Sequence, residues 1–165
     1  MVYSMKIKRT LLLCLASILT TVTVSASPVE NIDIPQLEAF VAGNKGKVTI
    51  VNFWATWCPP CLKEFPDITK LYNDYNSKGL EVLAVSMNEP DEMEDIAEFL
   101  EEYDPPFQVR VAATLDETFY DGIKKDWGGI IPLTLIFDTN GKLVHYHLQE
   151  VNYEGLEQDI SVLLP

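Results

Sequence analysis

Basic residues are scarce in this sequence. Lysine and arginine account for 12 of its 165 residues, against 25 aspartates and glutamates, and it has only two histidines and three cysteines. The shortage of positive charge argues against binding to nucleic acid or to anionic lipid. No long stretch is biased toward Gly/Ser, Gln/Asn or Pro, and no internal repeat is present, which argues against low-complexity and solenoid architectures. The length suits one domain built around one core.

The first 26 residues differ in composition from the rest of the chain. Lys6, Lys8 and Arg9 precede an uncharged, largely apolar run over residues 11–26, which ends in the small residues Ser25 and Ala26. This order predicts a secretory signal peptide cleaved after Ala26, and hence an exported, periplasmic protein. The alternative is a retained membrane anchor, but the run is shorter than the ~20 residues that span a bilayer comfortably.

The mature domain is therefore expected to comprise residues 27–165. Cleavage would remove Cys14, three basic residues and no acidic residue, which leaves a net charge of −16. The two remaining thiols, Cys58 and Cys61, would lie in a compartment where disulfides persist. A bridge over so short a loop constrains the unfolded chain little, so a purely structural disulfide is the weaker interpretation.

Hydrophobic periodicity predicts an α/β domain. After a first helix, its elements follow the order β-α-β-α-β-α-β-β-α, which indicates a mixed sheet with a parallel core, an antiparallel edge hairpin and helices on both faces. An extended segment over residues 27–34 leads into it. Strands are predicted over 48–54, 80–87, 107–112, 132–137 and 142–149, and helices over 35–42, 59–77, 91–103, 115–125 and 153–164.

The pair Cys58 and Cys61 follows a buried strand, in the stretch NFWATWCPPC. A thiol at the turn from this strand into a helix would lie at the helix N-terminus, where the dipole favours the thiolate. Cys61 is one helical turn further on. This geometry suits thiol–disulfide exchange, in which Cys58 attacks a substrate disulfide and Cys61 resolves the mixed disulfide. Trp57 is expected to offer an apolar surface to a protein partner, whereas Trp54 is expected in the core.

A metal site is the main alternative use of the two thiols. His145 and His147 alternate on a predicted strand, so both rings would face the same side and could complete a Cys2His2 set. Their spacing and position do not match a compact zinc module, and we expect no metal cofactor. Copper handling by the same thiols and a redox-inert binding domain remain the alternative functions. A peroxidase is disfavoured because no PxxxTxxC motif precedes the pair.

The strand ending in NFWATWCPPC, followed by LKEFP, resembles the thioredoxin superfamily. The CPPCxxExP pattern is most similar to its exported TlpA/ResA-type thiol–disulfide oxidoreductases, and the resemblance covers residues 35–165. It implies that Pro66 is the kinking proline of the active-site helix. It further implies that the Ile131–Pro132 bond is cis and faces the cysteine pair, where the backbone of Ile131 could pair with an extended substrate.

The resemblance also directs attention to the proton of Cys61. Thioredoxin has a buried aspartate where this chain has Asn52, and the TlpA/ResA type is expected to use a glutamate after the next strand, where this chain has Glu89. The carboxyl ends of neighbouring parallel strands lie at one sheet edge, which is consistent with this placement. We therefore predict Glu89 as a proton acceptor or pKa modulator; the alternative is a solvated acidic residue.

The prolines between the cysteines bear on the redox direction. If Cys58 is the N-cap, Pro59 suits the first helical position, because its missing N–H is not needed there. Pro60 removes a second donor, so only the Cys61 N–H remains to stabilise the Cys58 thiolate. Less thiolate stabilisation favours the disulfide and makes the pair a reductant. No cofactor is predicted other than the redox-active disulfide between Cys58 and Cys61.

The resemblance implies a reductase of exported protein disulfides that serves cytochrome c maturation or related thiol housekeeping. Its partners would be exported protein disulfides or the thiols of apocytochrome. Its electron donor would be a membrane thiol reductase, and the protein is expected to be a monomer.

Overall fold

The computed structural model describes residues 29–165. The predicted signal peptide and its cleavage site lie outside these residues. The strands are β1 (Asn31–Ile32), β2 (Val48–Trp54), β3 (Leu80–Ser86), β4 (Gln108–Ala112), β5 (Leu133–Phe137) and β6 (Leu143–His147). The helices are α1 (Ile34–Gly43), α2 (Pro59–Tyr75), α3 (Met93–Tyr103), α4 (Glu117–Ile123) and α5 (Tyr153–Ser161), with short 3-10 turns at Asn76–Lys78 and Pro90–Glu92.

The strands form one mixed sheet in the order β1-β4-β3-β2-β5-β6. Strands β1 to β4 pair in parallel, whereas β5 is antiparallel to both β2 and β6. The parallel core and the antiparallel edge hairpin are therefore confirmed. The predicted extended segment over residues 27–34 contains β1, whose pairing with β4 through Asn31 and Ile32 was not predicted. Two residues are too short for a periodic signal, and the pairing depends on a strand much further along the chain.

Helices cover both faces of the sheet, as predicted. On one face, Trp54 of β2 packs against Phe65 of α2, with ring centroids 5.0 Å apart. On the other, Phe53 packs against Trp127, which follows α4, at 5.1 Å. All seven residues of β2 are buried, because a central strand covered by helices on both faces has no solvent-facing side. No helix within residues 29–165 is long and apolar enough to cross a bilayer.

Helix α2 passes through Pro66 without interruption, and the predicted kink at this residue stays a prediction. Its buried residues (Cys61, Glu64, Phe65, Ile68 and Leu71) form one stripe with helical spacing. The tertiary contacts of this stripe outweigh the hydrogen bond that a proline cannot donate. The helix ends two residues earlier than predicted and continues as the 3-10 turn to Gly79, whose positive φ of 96° suits glycine at a helix end.

Helix α3 is attached to the core beside the cysteine-bearing turn. Its Phe99 contacts Trp54 at 4.6 Å and Phe65 at 5.0 Å, and Tyr103 stacks on Phe99 at 4.3 Å. Offset and edge-to-face aromatic pairs of this kind contribute roughly 0.5–1.5 kcal/mol each beyond the burial of their area. The cluster therefore fixes the position of the acidic segment that links β3 to α3.

Candidate active site

Cys58 occupies the turn between β2 and α2. It is the N-cap of α2, with extended backbone angles, and forms a disulfide with Cys61 one turn into the helix. The two Cα atoms are 5.3 Å apart. Cys61 is fully buried, whereas 4% of Cys58 is exposed. This difference is compatible with the predicted role of Cys58 as the attacking thiol, which stays a prediction.

The hydrogen bonds at the helix start match the expectation for the two prolines. Pro59 and Pro60 occupy the first two helical positions and have no N–H to donate. The Cys61 N–H donates to the Cys58 sulfur at 3.3 Å. A helix N-terminus with a different dipeptide would offer its N-cap more than one donor, so this sulfur has unusually little hydrogen bonding.

The Ile131–Pro132 peptide bond is cis, as the resemblance implied. Thr134 and Leu133 of β5 pair with Asn52 and Phe53 of β2, so Pro132 lies beside the end of β2 that leads to Cys58. Ile131 is half-buried, and the neighbouring Ile130 is 65% exposed. The structure thus brings the loop with Pro132 and the turn with Cys58 to the same end of the sheet, where β2 ends and β5 begins. Substrate pairing at Ile131 stays a prediction.

The two tryptophans of the motif differ in environment. Trp54 is fully buried, whereas Trp57 is 56% exposed directly before Cys58. Its indole Nε1–H donates to the Glu92 carboxylate at 3.2 Å. Trp57, Ile130 and Ile131 are apolar residues on the two loops that meet at this end of the sheet. This arrangement is compatible with the predicted binding of a polypeptide next to the disulfide.

A buried polar cluster lies beneath the cysteines, on the same side of β2 as α2. The Asn52 amide Nδ2 donates to Glu64 Oε1 at 2.6 Å and to Thr134 Oγ1 at 3.0 Å. The Val151 N–H donates to the other oxygen of Glu64 at 3.1 Å. Glu64 is one turn beyond Cys61 on α2, and positions three apart on a helix are neighbours. A titratable carboxyl group is therefore held beside the buried cysteine.

Burial raises the pKa of Glu64 to about 7, against 4.5 for a free side chain, despite the opposing hydrogen bonds from Val151 and Asn52. Desolvation disfavours the charged form, and the nearby Glu150 and Asp67 act in the same direction. A carboxyl group with a pKa near neutrality can accept and return a proton at ordinary pH, which is a requirement for general acid–base catalysis.

Comparison with known proteins identifies the family. A sequence profile of the AhpC/TSA family matches residues 28–146. The chain belongs to this family. It is 29% identical to the thiol-disulfide oxidoreductase ResA of Halalkalibacterium halodurans, over 82% of this chain and 69% of the relative. It is 30% identical to the ResA of Geobacillus thermodenitrificans, over 81% and 72%. Another ResA, from Bacillus thuringiensis, is 34% identical over 73% of this chain and 66% of its own length.

A solved structure gives the same result. A putative thiol:disulfide interchange protein DsbE from Chlorobium tepidum superposes with a TM-score of 0.63 at 28% identity, over 74% of this chain and 84% of that one. The thioredoxin-like fold and the TlpA/ResA-type resemblance are thereby confirmed. With the Cys58–Cys61 pair in place, this AhpC/TSA family member is a thiol–disulfide oxidoreductase of the ResA/DsbE type.

Glu89, the predicted proton acceptor, lies at the start of the 3-10 turn after β3. It is solvent exposed, and its backbone N–H donates to Glu92 at 2.8 Å. Its charge contributes, after burial, to the raised pKa of Tyr120. The predicted role of Glu89 stays a prediction, and Glu64 is a second candidate with the burial that such a role favours.

The sequence analysis assigned no role to Glu64, which is the glutamate of the CPPCxxExP pattern. Its position offered a signal, since a glutamate three residues after a buried cysteine shares the buried stripe of α2. A charged residue on an apolar helix face is rarely buried without a partner. Asn52, noted as the departure from thioredoxin, is that partner. Where thioredoxin has a buried aspartate, this chain thus has Asn52, and the buried carboxyl group comes instead from Glu64 of α2.

The two histidines are placed on the outer strand β6. His147 Nε2 is 2.6 Å from Asp159 Oδ2 of α5, and His145 is exposed. Within residues 29–165, no group of three or more His, Cys, Asp or Glu side chains is arranged to hold a metal ion. His147 thus links β6 to α5 through Asp159.

Proposed function

We propose that this protein is an exported reductase of protein disulfides, with Cys58 as the nucleophile and Cys61 as the resolving thiol. The observation that carries the proposal is the placement of Cys58. It is the less buried cysteine of the pair, lies at a helix N-terminus, and its sulfur accepts a backbone hydrogen bond from Cys61. Export is supported by the predicted signal peptide in residues 1–26.

The exchange proceeds in two balanced steps. In the dithiol form, the Cys58 thiolate attacks one sulfur of the substrate disulfide, which forms a mixed disulfide and expels the other substrate sulfur as a thiolate. The Cys61 thiolate then attacks the Cys58 sulfur, which forms the Cys58–Cys61 disulfide and releases the second substrate thiolate. Two electrons pass to the substrate, and its two thiolates take up protons. A dithiol donor returns two electrons and two protons to the enzyme.

Glu64 is suited to serve the second step. Cys61 is fully buried, so its proton has no direct route to bulk water. Glu64 on the next turn can accept this proton, because its pKa of about 7 leaves a substantial ionised fraction at neutral pH. Neutralisation of the carboxylate in turn removes a buried negative charge from the neighbourhood of the thiolate.

We propose the direction of the reaction from the number of N–H groups that can donate a hydrogen bond to the Cys58 thiolate. A thiolate with one N–H donor is less stabilised than one with two, so the dithiol form is less favoured and the pair is more reducing. A measured reduction potential close to that of a strong oxidase, about −120 mV, would contradict this direction. Service in cytochrome c maturation, with a membrane thiol reductase as the electron donor, follows from the family resemblance and is part of the proposal.

Replacement of Pro60 by alanine tests the donor argument. The variant restores an N–H at the second helical position, where it can donate to the Cys58 thiolate. A hydrogen bond to a charged group contributes roughly 1.5 kcal/mol, which corresponds to a rise in reduction potential of about 30 mV. Equilibration with glutathione buffers measures it. The matched control is Pro59→Ala, since N-cap side chains accept from the second or third helical position. Equal shifts in both variants would contradict the argument.

The function itself is tested by reduction of insulin with dithiothreitol as the donor. We expect the wild-type protein to accelerate insulin precipitation severalfold over dithiothreitol alone. A redox-inert binding domain would give no acceleration. A copper-handling protein would instead retain stoichiometric copper after desalting and lose it in Cys58→Ser. Acceleration without metal retention supports the reductase.

A further inference from the structure

The side chain of Asn88 joins two segments next to the active site. It lies just beyond β3 and is 1% exposed. Its Oδ1 accepts from the Thr56 N–H at 3.0 Å and from Ser86 Oγ at 2.8 Å, while its Nδ2 donates to Thr56 Oγ1 at 2.6 Å. A second bond from Nδ2 reaches Glu92 Oε2 at 3.2 Å. The amide thus uses its full donor capacity, and it fixes the turn before Cys58 to the segment after β3.

Glu92 continues this connection to Trp57. Its Oε2 accepts from the Glu89 N–H at 2.8 Å, from Asn88 Nδ2 at 3.2 Å and from Trp57 Nε1 at 3.2 Å. Glu92 is half-buried and immediately precedes α3. Helix α3 is in turn held by Phe99 against the core. The carboxylate therefore has a fixed position from which it can orient the indole.

Trp57 needs such orientation because more than half of its surface is exposed. Packing alone restrains an exposed side chain weakly, and a mobile side chain must be ordered when a partner binds. Ordering a side chain at an interface costs free energy, so a residue already held in its bound orientation binds more tightly. A hydrogen bond at the indole N–H fixes the ring while its apolar face stays available.

We propose that Glu92, held by Asn88, is a positioning residue that orients Trp57 as a contact surface for the polypeptide flanking a substrate disulfide. The inference rests on the proposed function and specifies its substrate class. A protein disulfide brings flanking chain that reaches Trp57, whereas a small disulfide such as cystamine needs only the Cys58 sulfur. Glu92 thus favours protein disulfides over small ones without touching either.

Single-turnover oxidation of the dithiol form by insulin and by cystamine tests the proposal. For Glu92→Ala we expect the insulin concentration at half-maximal rate to rise about fivefold with an unchanged maximal rate, an effect within the range of one hydrogen bond. Oxidation by cystamine should stay within about twofold, because no flanking chain is involved. Glu92→Gln keeps an acceptor oxygen and should restore most of the affinity. Glu94→Ala removes the same charge from an exposed position in the first turn of α3 and should behave as wild type.

Two further measurements separate positioning from a general structural effect. In a Trp57→Ala background, Glu92→Ala should add nothing toward insulin, because two residues that act through one contact are not additive. In the wild-type background, Glu92→Ala should shift the NMR signal of the Trp57 indole N–H and leave those of Trp54 and Trp127 in place. Trp57→Phe assigns that signal.

Three results would overturn the inference. These are equal slowing toward cystamine and insulin, a full additional effect of Glu92→Ala in the Trp57→Ala protein, or unchanged insulin affinity in Glu92→Ala. A wild-type dithiol that reacts with neither disulfide would instead refute the proposed function and this inference with it. The two failures are therefore distinguishable.

Discussion

Replacement of Cys58 by serine is expected to abolish disulfide exchange, whereas Cys61→Ser is expected to trap substrates. Cys58 is the less buried residue of the pair, and Cys61 is fully buried one turn into the helix. Without the nucleophile, the part of the insulin-reduction rate that exceeds the rate with dithiothreitol alone should fall on the order of 10³-fold or more. Without the resolving thiol, the first step proceeds and the mixed disulfide accumulates.

The measurement is capture of mixed disulfides by the Cys61→Ser protein produced in cells, followed by non-reducing electrophoresis and identification of the partners. Cys58→Ser is the matched control, since it has an equally small change at the same turn, and the double variant removes both thiols; neither should trap. Far-ultraviolet circular dichroism confirms that each variant is folded. Trapping by Cys58→Ser, or normal turnover by Cys61→Ser, would show that the assigned order of the thiols is wrong.

Glu64→Gln is expected to remove a large pH dependence of stability. The pKa of Glu64 is about 7 in the folded protein against 4.5 for the free side chain, so the folded state binds a proton that the unfolded state has released between these values. The contribution of this group is fully present below pH 4.5 and is lost as the pH rises through 7. The loss amounts to about 2.5 kcal/mol between pH 5 and pH 8.

Urea unfolding at pH 5 and pH 8 measures this effect. The free energy of unfolding of the wild type should fall relative to that of Glu64→Gln over this interval, while Glu94→Gln should follow the wild type. The introduced glutamine side chain would face the Val151 N–H with either an oxygen or an amide group, so the absolute stability of the variant changes as well. The comparison therefore uses the difference between the two pH values. Parallel behaviour of wild type and Glu64→Gln would contradict the raised pKa.

The same variant distinguishes the two carboxyl groups proposed to serve the thiols. If Glu64 accepts the proton of Cys61, Glu64→Gln alters the titration of the dithiol and the pH profile of exchange, and Glu89→Gln does not. The reverse result would support the prediction made for Glu89. Thiol absorbance at about 240 nm, where the thiolate absorbs more strongly than the thiol, measures the titration directly when it is followed against pH. Cys61→Ser isolates the signal of Cys58.

The active-site turn could be predicted almost completely from the sequence. A buried strand, a cysteine at an N-cap, two prolines without donors and a second cysteine one turn later are all local features. Each depends on residues within about one helical turn, where backbone geometry leaves few alternatives. The same locality explains why the order and type of the longer elements were correct, and why the pairing of β1 with the distant β4 was not predicted.

The environment of this turn depends on contacts that no local pattern contains. Asn52, Glu64, Thr134 and Val151 come from separate parts of the chain, and they meet only because β2 pairs with β5 and α2 packs beside both. The pKa of Glu64 follows from that burial, as the orientation of Trp57 follows from the contacts of its indole with the segment after β3. The sequence by itself thus determined the reactive pair and its donors, because these are local. The tertiary structure alone decided which carboxyl group is desolvated beside them, because desolvation depends on the whole surrounding fold.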